Sequence, residues 1–223
     1  MTWTLPNILT VIRLFAAPGV AIMFLYFQRP YADWFALTLF VGAAVTDFFD
    51  GYLARRWKQE SSFGRMLDPI ADKAMVVIAL LVLTAFSSAT FLILLPATII
   101  LFREVFVSGL REFLGSRASL LNVTKLAKWK TTAQMIAISV LFGSGIFEHY
   151  VVMDSFGMDA AMVAGILEGT GPDKTGLLWK YNAMSASLYA GTVLLWLAAI
   201  LTLVTGWDYF AKALPILREG ETA

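Results

Sequence analysis

Six stretches of about 20 residues are mostly apolar, and a run of that length crosses the roughly 30 Å hydrocarbon core of a bilayer as one helix. They fall near 8–27, 33–54, 69–88, 90–110, 131–150 and 183–205. Lipid offers the backbone no hydrogen bonds, so such runs satisfy their own as helices. The chain is therefore expected to be an all-α integral membrane protein with six transmembrane helices. Its composition agrees: 59% of the 223 residues are hydrophobic and 15% charged, where soluble domains carry about 25% charged residues.

No internal repeat or low-complexity tract divides the sequence, so a single domain over 1–223 is expected. The connections are short except for 151–182, which holds Gly157, Gly165, Gly169, Gly171 and Pro172 and reads as a loop with a short interfacial helix. Basic residues set the expected orientation. Arg55, Arg56, Lys58 and Arg65 follow the second run. Arg111, Arg117, Lys125, Lys128 and Lys130 follow the fourth, and Lys212 and Arg218 follow the last. The opposite loops hold Arg29, Lys174 and Lys180. Both termini are thus expected in the cytoplasm, and an even number of spans agrees by placing them on the same side. The opening segment has no basic stretch ahead of its apolar run, a poor pattern for a cleaved leader, and is expected to be retained. A net charge of +1 gives no field to attract nucleic acid, and the absence of cysteine removes disulfides, thiolate nucleophiles and Cys-based metal sites.

One stretch concentrates acids where the composition is otherwise poor in them. Asp47 and Asp50 are three residues apart at the end of the second run, and Asp68 and Asp72 are four apart at the start of the third. Each pair shares a helical face. A short connection makes the two helices antiparallel neighbours, so the acidic faces meet near one membrane surface. Four converging carboxylates repel one another, and each costs about 2.5–3.5 kcal/mol if held near the bilayer centre. Divalent cations relieve both problems, and hard oxygen ligands suit Mg²⁺, Mn²⁺ or Ca²⁺. Two such ions can bind a pyrophosphate and stabilise its attacking and leaving oxygens. Gly51, Ala54 and Gly64 leave room for a nucleotide against the backbone, and Arg55 can pair with phosphate. A plainer reading of single members also stands: Asp68 before Pro69 has the form of a helix N-cap with proline in the first turn.

The spacing D-x2-D-G-x2-A-R-x8-G-x3-D-x3-D, carried by Asp47, Asp50, Gly51, Ala54, Arg55, Gly64, Asp68 and Asp72, matches the signature of the CDP-alcohol phosphotransferases at all eight fixed positions. The resemblance extends over nearly the whole chain. It implies the six-helix fold of that family and two divalent cations, Mg²⁺ or Mn²⁺ (Ca²⁺ can also bind in vitro), held by Asp47, Asp50, Asp68 and Asp72. It further implies Asp72 as general base, a homodimer in the bacterial cytoplasmic membrane, an active site on the cytoplasmic face, and transfer of a phosphate-linked group from a CDP-activated donor with release of CMP.

The signature does not choose the acceptor, so other polar residues matter. Arg103, Ser108 and Arg111 sit in the cytoplasmic half of the fourth run, and Lys125, Lys128 and Lys130 open the fifth. Such a group suits an acceptor that carries its own phosphate, with Arg103, Ser108, Arg111, Lys128 and Lys130 as its contacts. The positive-inside pattern alone also accounts for the lysines. The segments R-E-x4-S-x-L-R-E-F-L and K-x-K-T-T-A-Q-M, and the opening Leu5-Pro6-Asn7-Ile-Leu-Thr10-Val-Ile-Arg13, resemble the branch of the family that uses CDP-diacylglycerol and glycerol 3-phosphate. Asn7, Thr10 and Arg13 recur along one side of a helix. Either they face the nucleotide, with Asn7 and Thr10 as donor contacts, or they are a cap and a snorkelling arginine. Branches that use phosphatidylglycerol or inositol phosphate remain open at this point. A cation transporter would place its acids near the midplane of several helices, whereas here they cluster at one end of two.

Overall fold

The computed structural model describes residues 4–57, 61–87, 90–115 and 125–219, except for the side chains of 48–55, 57, 90, 125, 127, 128, 218 and 219. Seven α-helices and no strand occur among the described residues: α1 Leu5–Tyr26, α2 Tyr31–Trp57, α3 Ser62–Phe86, α4 Thr90–Leu114, α5 Lys125–Asp154, α6 Ala160–Leu167 and α7 Leu177–Glu219. Within α1, α3, α4, α5 and α7 lie five segments long and apolar enough to cross a membrane. They match five of the six expected runs. α2 lies where the remaining run was expected, but Asp33, Asp47 and Asp50 interrupt its apolar character and it is not one of the five.

Several helices are longer than their apolar runs. α3 begins at Ser62, capped by Ser61, whose Oγ accepts the Gly64 N–H at 2.9 Å. Asp68 and Pro69 therefore lie inside the helix rather than at its start, and the Asp68 N-cap reading does not hold. The serine supplies the cap because its hydroxyl satisfies an N–H that the first turn leaves open. α7 has 43 residues and, at 1.5 Å per residue, is about 65 Å long, well beyond one bilayer thickness. In the 151–182 stretch the short helix is α6, started by Asp159, which accepts the Met162 N–H at 2.7 Å. The carboxylate of Asp173 then accepts the N–H groups of Leu177 and Leu178 to start α7.

α1 packs along both α2 and α3, α5 lies along α7, and α4 packs on α7. The core holds many small side chains, among them Ala17, Ala36, Ala43, Ala79, Ala137 and Ala198, with Phe40, Met75 and Phe142 filling between them. Small residues let helices approach closely where lipid gives little hydrophobic drive to association. Large apolar side chains such as Phe15, Leu81, Phe91 and Ile200 point outward, which suits a lipid-facing surface. A second small core of Val107, Leu114, Tyr209 and Ala213 joins the ends of α4 and α7.

At the end of the bundle near the α1–α2 turn, Arg29 grips Asp33 through two bonds of 3.0 Å and reaches Glu148 on α5 at 3.3 Å. Gly145 makes this possible, since a Cβ there would meet Asp33 Oδ1 at 2.6 Å and Arg29 Nη2 at 2.8 Å.

Candidate active site

The other end of the bundle is organised by α1. Asn7, Thr10 and Arg13 are all buried, one turn apart on the side that meets α2 and α3. Arg13 Nη1 donates to Asp47 Oδ1 on α2 and to Asp72 Oδ1 on α3, each at 2.6 Å. Thr10 Oγ1 lies 2.6 Å from Asp68 Oδ1 and 3.1 Å from the Pro6 carbonyl. Asn7 Oδ1 accepts from Ser61 Oγ at 2.8 Å. Each polar residue of α1 thus engages a different part of the signature. Arg13 is 2% exposed and bound to aspartates, so it does not snorkel, and Thr4 is the N-cap of α1, so Asn7 is not the cap.

Gly64 lies at a close approach of α1 to α3. A Cβ there would meet Asn7 Oδ1 at 2.8 Å and Ser61 Oγ at 3.3 Å, so the glycine admits the α1 side chain to the start of α3.

Asp47 and Asp72 are about half exposed, and both line a cavity of about 340 Å³ together with Arg13, Ala43, Ala44 and Thr131. Thr132, Met135 and Ile136 on α5 complete its far wall. A groove of about 480 Å³ lined by Val41, Val45, Ser139 and Val140 continues it along α2 and α5, with Ala44, Met135 and Ile136 common to both. One end of this space is ionic and the other apolar.

The donor set fits hard divalent cations, since Asp47, Asp68 and Asp72 present carboxylate oxygens at the same end of the bundle. Among the described residues no three acids already converge as a ligand cluster. Asp47 and Asp72 share Arg13, while Asp68 turns to Thr10. Asp50, Gly51, Ala54 and Arg55 lie on α2, and their side chains are outside the described residues, as is that of Lys128.

A second polar cluster includes Lys73 and Lys130, the chain neighbours of the cavity residues Asp72 and Thr131. Glu104 on α4 pairs with Lys130 on α5, which is buried, and with Arg103 at 3.3 Å. The guanidinium groups of Arg103 and Arg111 both lie over the Tyr209 ring, 5.5 and 5.8 Å from its centroid. Ser108 donates to the Glu104 carbonyl and accepts from Lys73 Nζ, both at hydrogen-bond distance. Two cations, Lys130 and Arg103, bond the Glu104 carboxylate. Arg103, Ser108, Arg111 and Lys130 thus lie in one cluster, with Arg103 and Lys130 paired to Glu104.

Sequence reasoning missed Lys73, Thr131, Thr132 and Tyr209. Lys73 had a visible signal, being an ionisable residue directly after the last signature aspartate inside an apolar helix. The threonines and the tyrosine had none.

Relatives of known family share much of this sequence. Residues 3–205 match the family model described as CDP-alcohol phosphatidyltransferase. A protein of Cereibacter sphaeroides named CDP-diacylglycerol–glycerol-3-phosphate 3-phosphatidyltransferase is 62% identical over 220 residues, covering 98% of this chain and 99% of that one. Proteins of the same name from Rickettsia bellii and Haemophilus influenzae are each 37% identical, covering 92% and 96% of this chain and 93% and 95% of their own lengths. With the signature spacing, the paired α2 and α3 aspartates and near-complete coverage in agreement, the chain belongs to the CDP-alcohol phosphatidyltransferase family.

Proposed function

We propose that the protein transfers the phosphatidyl group of CDP-diacylglycerol to the terminal hydroxyl of glycerol 3-phosphate, giving phosphatidylglycerophosphate and CMP. The observation that carries this reading is the two-ended cavity. Its ionic end, with Asp47, Asp72 and Arg13, suits a pyrophosphate, and its apolar continuation between α2 and α5 suits an acyl chain. The cationic cluster beside it suits an acceptor that brings its own phosphate. The names of the relatives support the same donor and acceptor.

Members of the family generally depend on divalent cations. Asp47, Asp50, Asp68 and Asp72 would hold them here, and the ions would neutralise the pyrophosphate and the departing CMP. Asp72 acts as the base that takes the proton from the acceptor hydroxyl. The freed oxygen forms a bond to the phosphorus that carries diacylglycerol, and the phosphoanhydride bond to CMP breaks. Arg13 holds Asp47 and Asp72 at a common nitrogen, which fixes α2 against α3 at the point of reaction. Positioning and electrostatics account for most of the catalysis in this reading, as in phosphoryl transfer generally.

In the membrane, α2 counts as a span despite its acids, giving six. Both termini and the aspartate end face the cytoplasm because the basic residues gather there. The chain acts as one domain, and the assembly is a homodimer. The test is product analysis of purified protein given CDP-diacylglycerol with glycerol 3-phosphate, glycerol, phosphatidylglycerol or inositol phosphate. Phosphatidylglycerophosphate formed with one equivalent of CMP is expected. A preference for phosphatidylglycerol or inositol phosphate overturns the acceptor assignment.

A further inference from the structure

The cations beside the cavity are not equally free to meet a ligand. Lys130 is only 6% exposed and its ammonium is held by Glu104. A phosphate could reach it only by breaking a buried pair. Arg103 is committed to the same carboxylate and to the Tyr209 ring, with its stem against Gly206. Lys73 differs. It is exposed, it follows Asp72 directly on α3, and its ammonium rests on Ser108 Oγ at 2.6 Å. Among the described residues Ser108 is the one partner of its three N–H donors. The Ser108 hydroxyl proton is directed to the Glu104 carbonyl, so its lone pair is left to receive Lys73.

We propose that Lys73 is a specificity-determining residue that binds the phosphate monoester of the acceptor alcohol, with Ser108 as its rest and the Glu104–Lys130 pair as the wall behind it. The inference rests on the reading that the acceptor carries a phosphate. Its chemistry is direct. The acceptor hydroxyl must lie at Asp72, and in glycerol 3-phosphate three carbons separate that hydroxyl from the phosphate. A cation on the residue next to the base, reaching toward α4, holds the far end of so short a molecule. A lysine suits this task because it acts as a point charge on a flexible stem.

Steady-state kinetics of Lys73→Ala, Lys73→Gln and Lys73→Arg test the assignment, with KM measured for each substrate and kcat/KM compared for glycerol 3-phosphate and glycerol. Loss of one charged hydrogen bond corresponds to about 10- to 150-fold in kcat/KM. For Lys73→Ala and Lys73→Gln, the KM for glycerol 3-phosphate should rise by a factor in that range and the preference over glycerol should shrink by a similar factor. The KM for CDP-diacylglycerol should hold, and Lys73→Arg should recover part of the loss. An equal fall in kcat with both acceptors, at unchanged KM for glycerol 3-phosphate, overturns the role of Lys73. If the wild-type protein itself uses glycerol as well as glycerol 3-phosphate, the phosphate-bearing acceptor fails, and the proposal fails with it.

Discussion

Arg13 and Asp72 lie 59 positions apart in the chain and 2.6 Å apart in the fold, and the same arginine nitrogen meets Asp47 at the same distance. Arg13 is 2% exposed, and both carboxylates compensate its buried charge. Arg13→Ala should lower stability by about 1.5–3 kcal/mol, the value of a hydrogen bond to a charged group. The aspartates are half exposed and water can solvate them, which keeps the loss below that of breaking a fully buried pair. Arg13→Lys should fall between the two, because an ammonium keeps the charge without the planar fork. Thermal unfolding in detergent measures both, and a wild-type melting point for Arg13→Ala would refute the linkage.

Asp47→Asn, Asp50→Asn and Asp68→Asn should each remove nearly all transfer, because an amide is a poor substitute for a hard anionic ligand. Asp72→Asn should cost about 10²- to 10⁴-fold through loss of the base alone. Asp68→Asn can still accept from Thr10, so its melting point should change little while its activity goes. EDTA should silence the wild type and Mg²⁺ or Mn²⁺ should restore it. Full activity in chelator would sink the metal assignment.

Gly64→Ala should be destabilising by about 1–3 kcal/mol, the usual cost of overpacking. The added Cβ meets Asn7 Oδ1 at 2.8 Å. In an Asn7→Ala background the same change should cost less, since the obstructing atom is gone. Strict additivity of the two melting-point shifts would show that the contact does not limit the helix approach.

The Glu104–Lys130 pair is buried, so removing one partner should be costly in an asymmetric way. Glu104→Gln strands the Lys130 ammonium and should lose about 3–5 kcal/mol. Lys130→Met should lose less, because Glu104 keeps Arg103 at 3.3 Å. The double variant Glu104→Gln/Lys130→Met should recover part of the loss of Glu104→Gln. Denaturation of the three proteins checks the ordering.

The orientation can be read with single cysteines, since the chain has none of its own. Ser61 is a poor site because it caps α3 and bonds Asn7. Ser62 beside it is exposed, and so is Thr170 in the connection between α6 and α7. In intact cells an impermeant maleimide should label Thr170→Cys and leave Ser62→Cys untouched. The reverse pattern would invert the topology.

Much of this protein is legible in its sequence because the deciding signals are local. Apolar runs of bilayer length specify helices with no reference to the rest of the chain, and the Asp47–Asp72 spacing placed the acids on facing helices. Helix ends were less legible. Ser61, not the Asp68-Pro69 pair, starts α3, because a cap belongs to whichever hydroxyl meets the open N–H.

The all-helical membrane class and the family were determined by the sequence alone. Tertiary structure decided what the polar residues of α1 do, that Gly64 makes room for Asn7, and that Lys130 is bound inward while Lys73 stays exposed. The reason is physical. A charge inside an apolar helix announces that it needs a partner, but the partner is 26 to 59 residues away and is chosen by which helix faces come together.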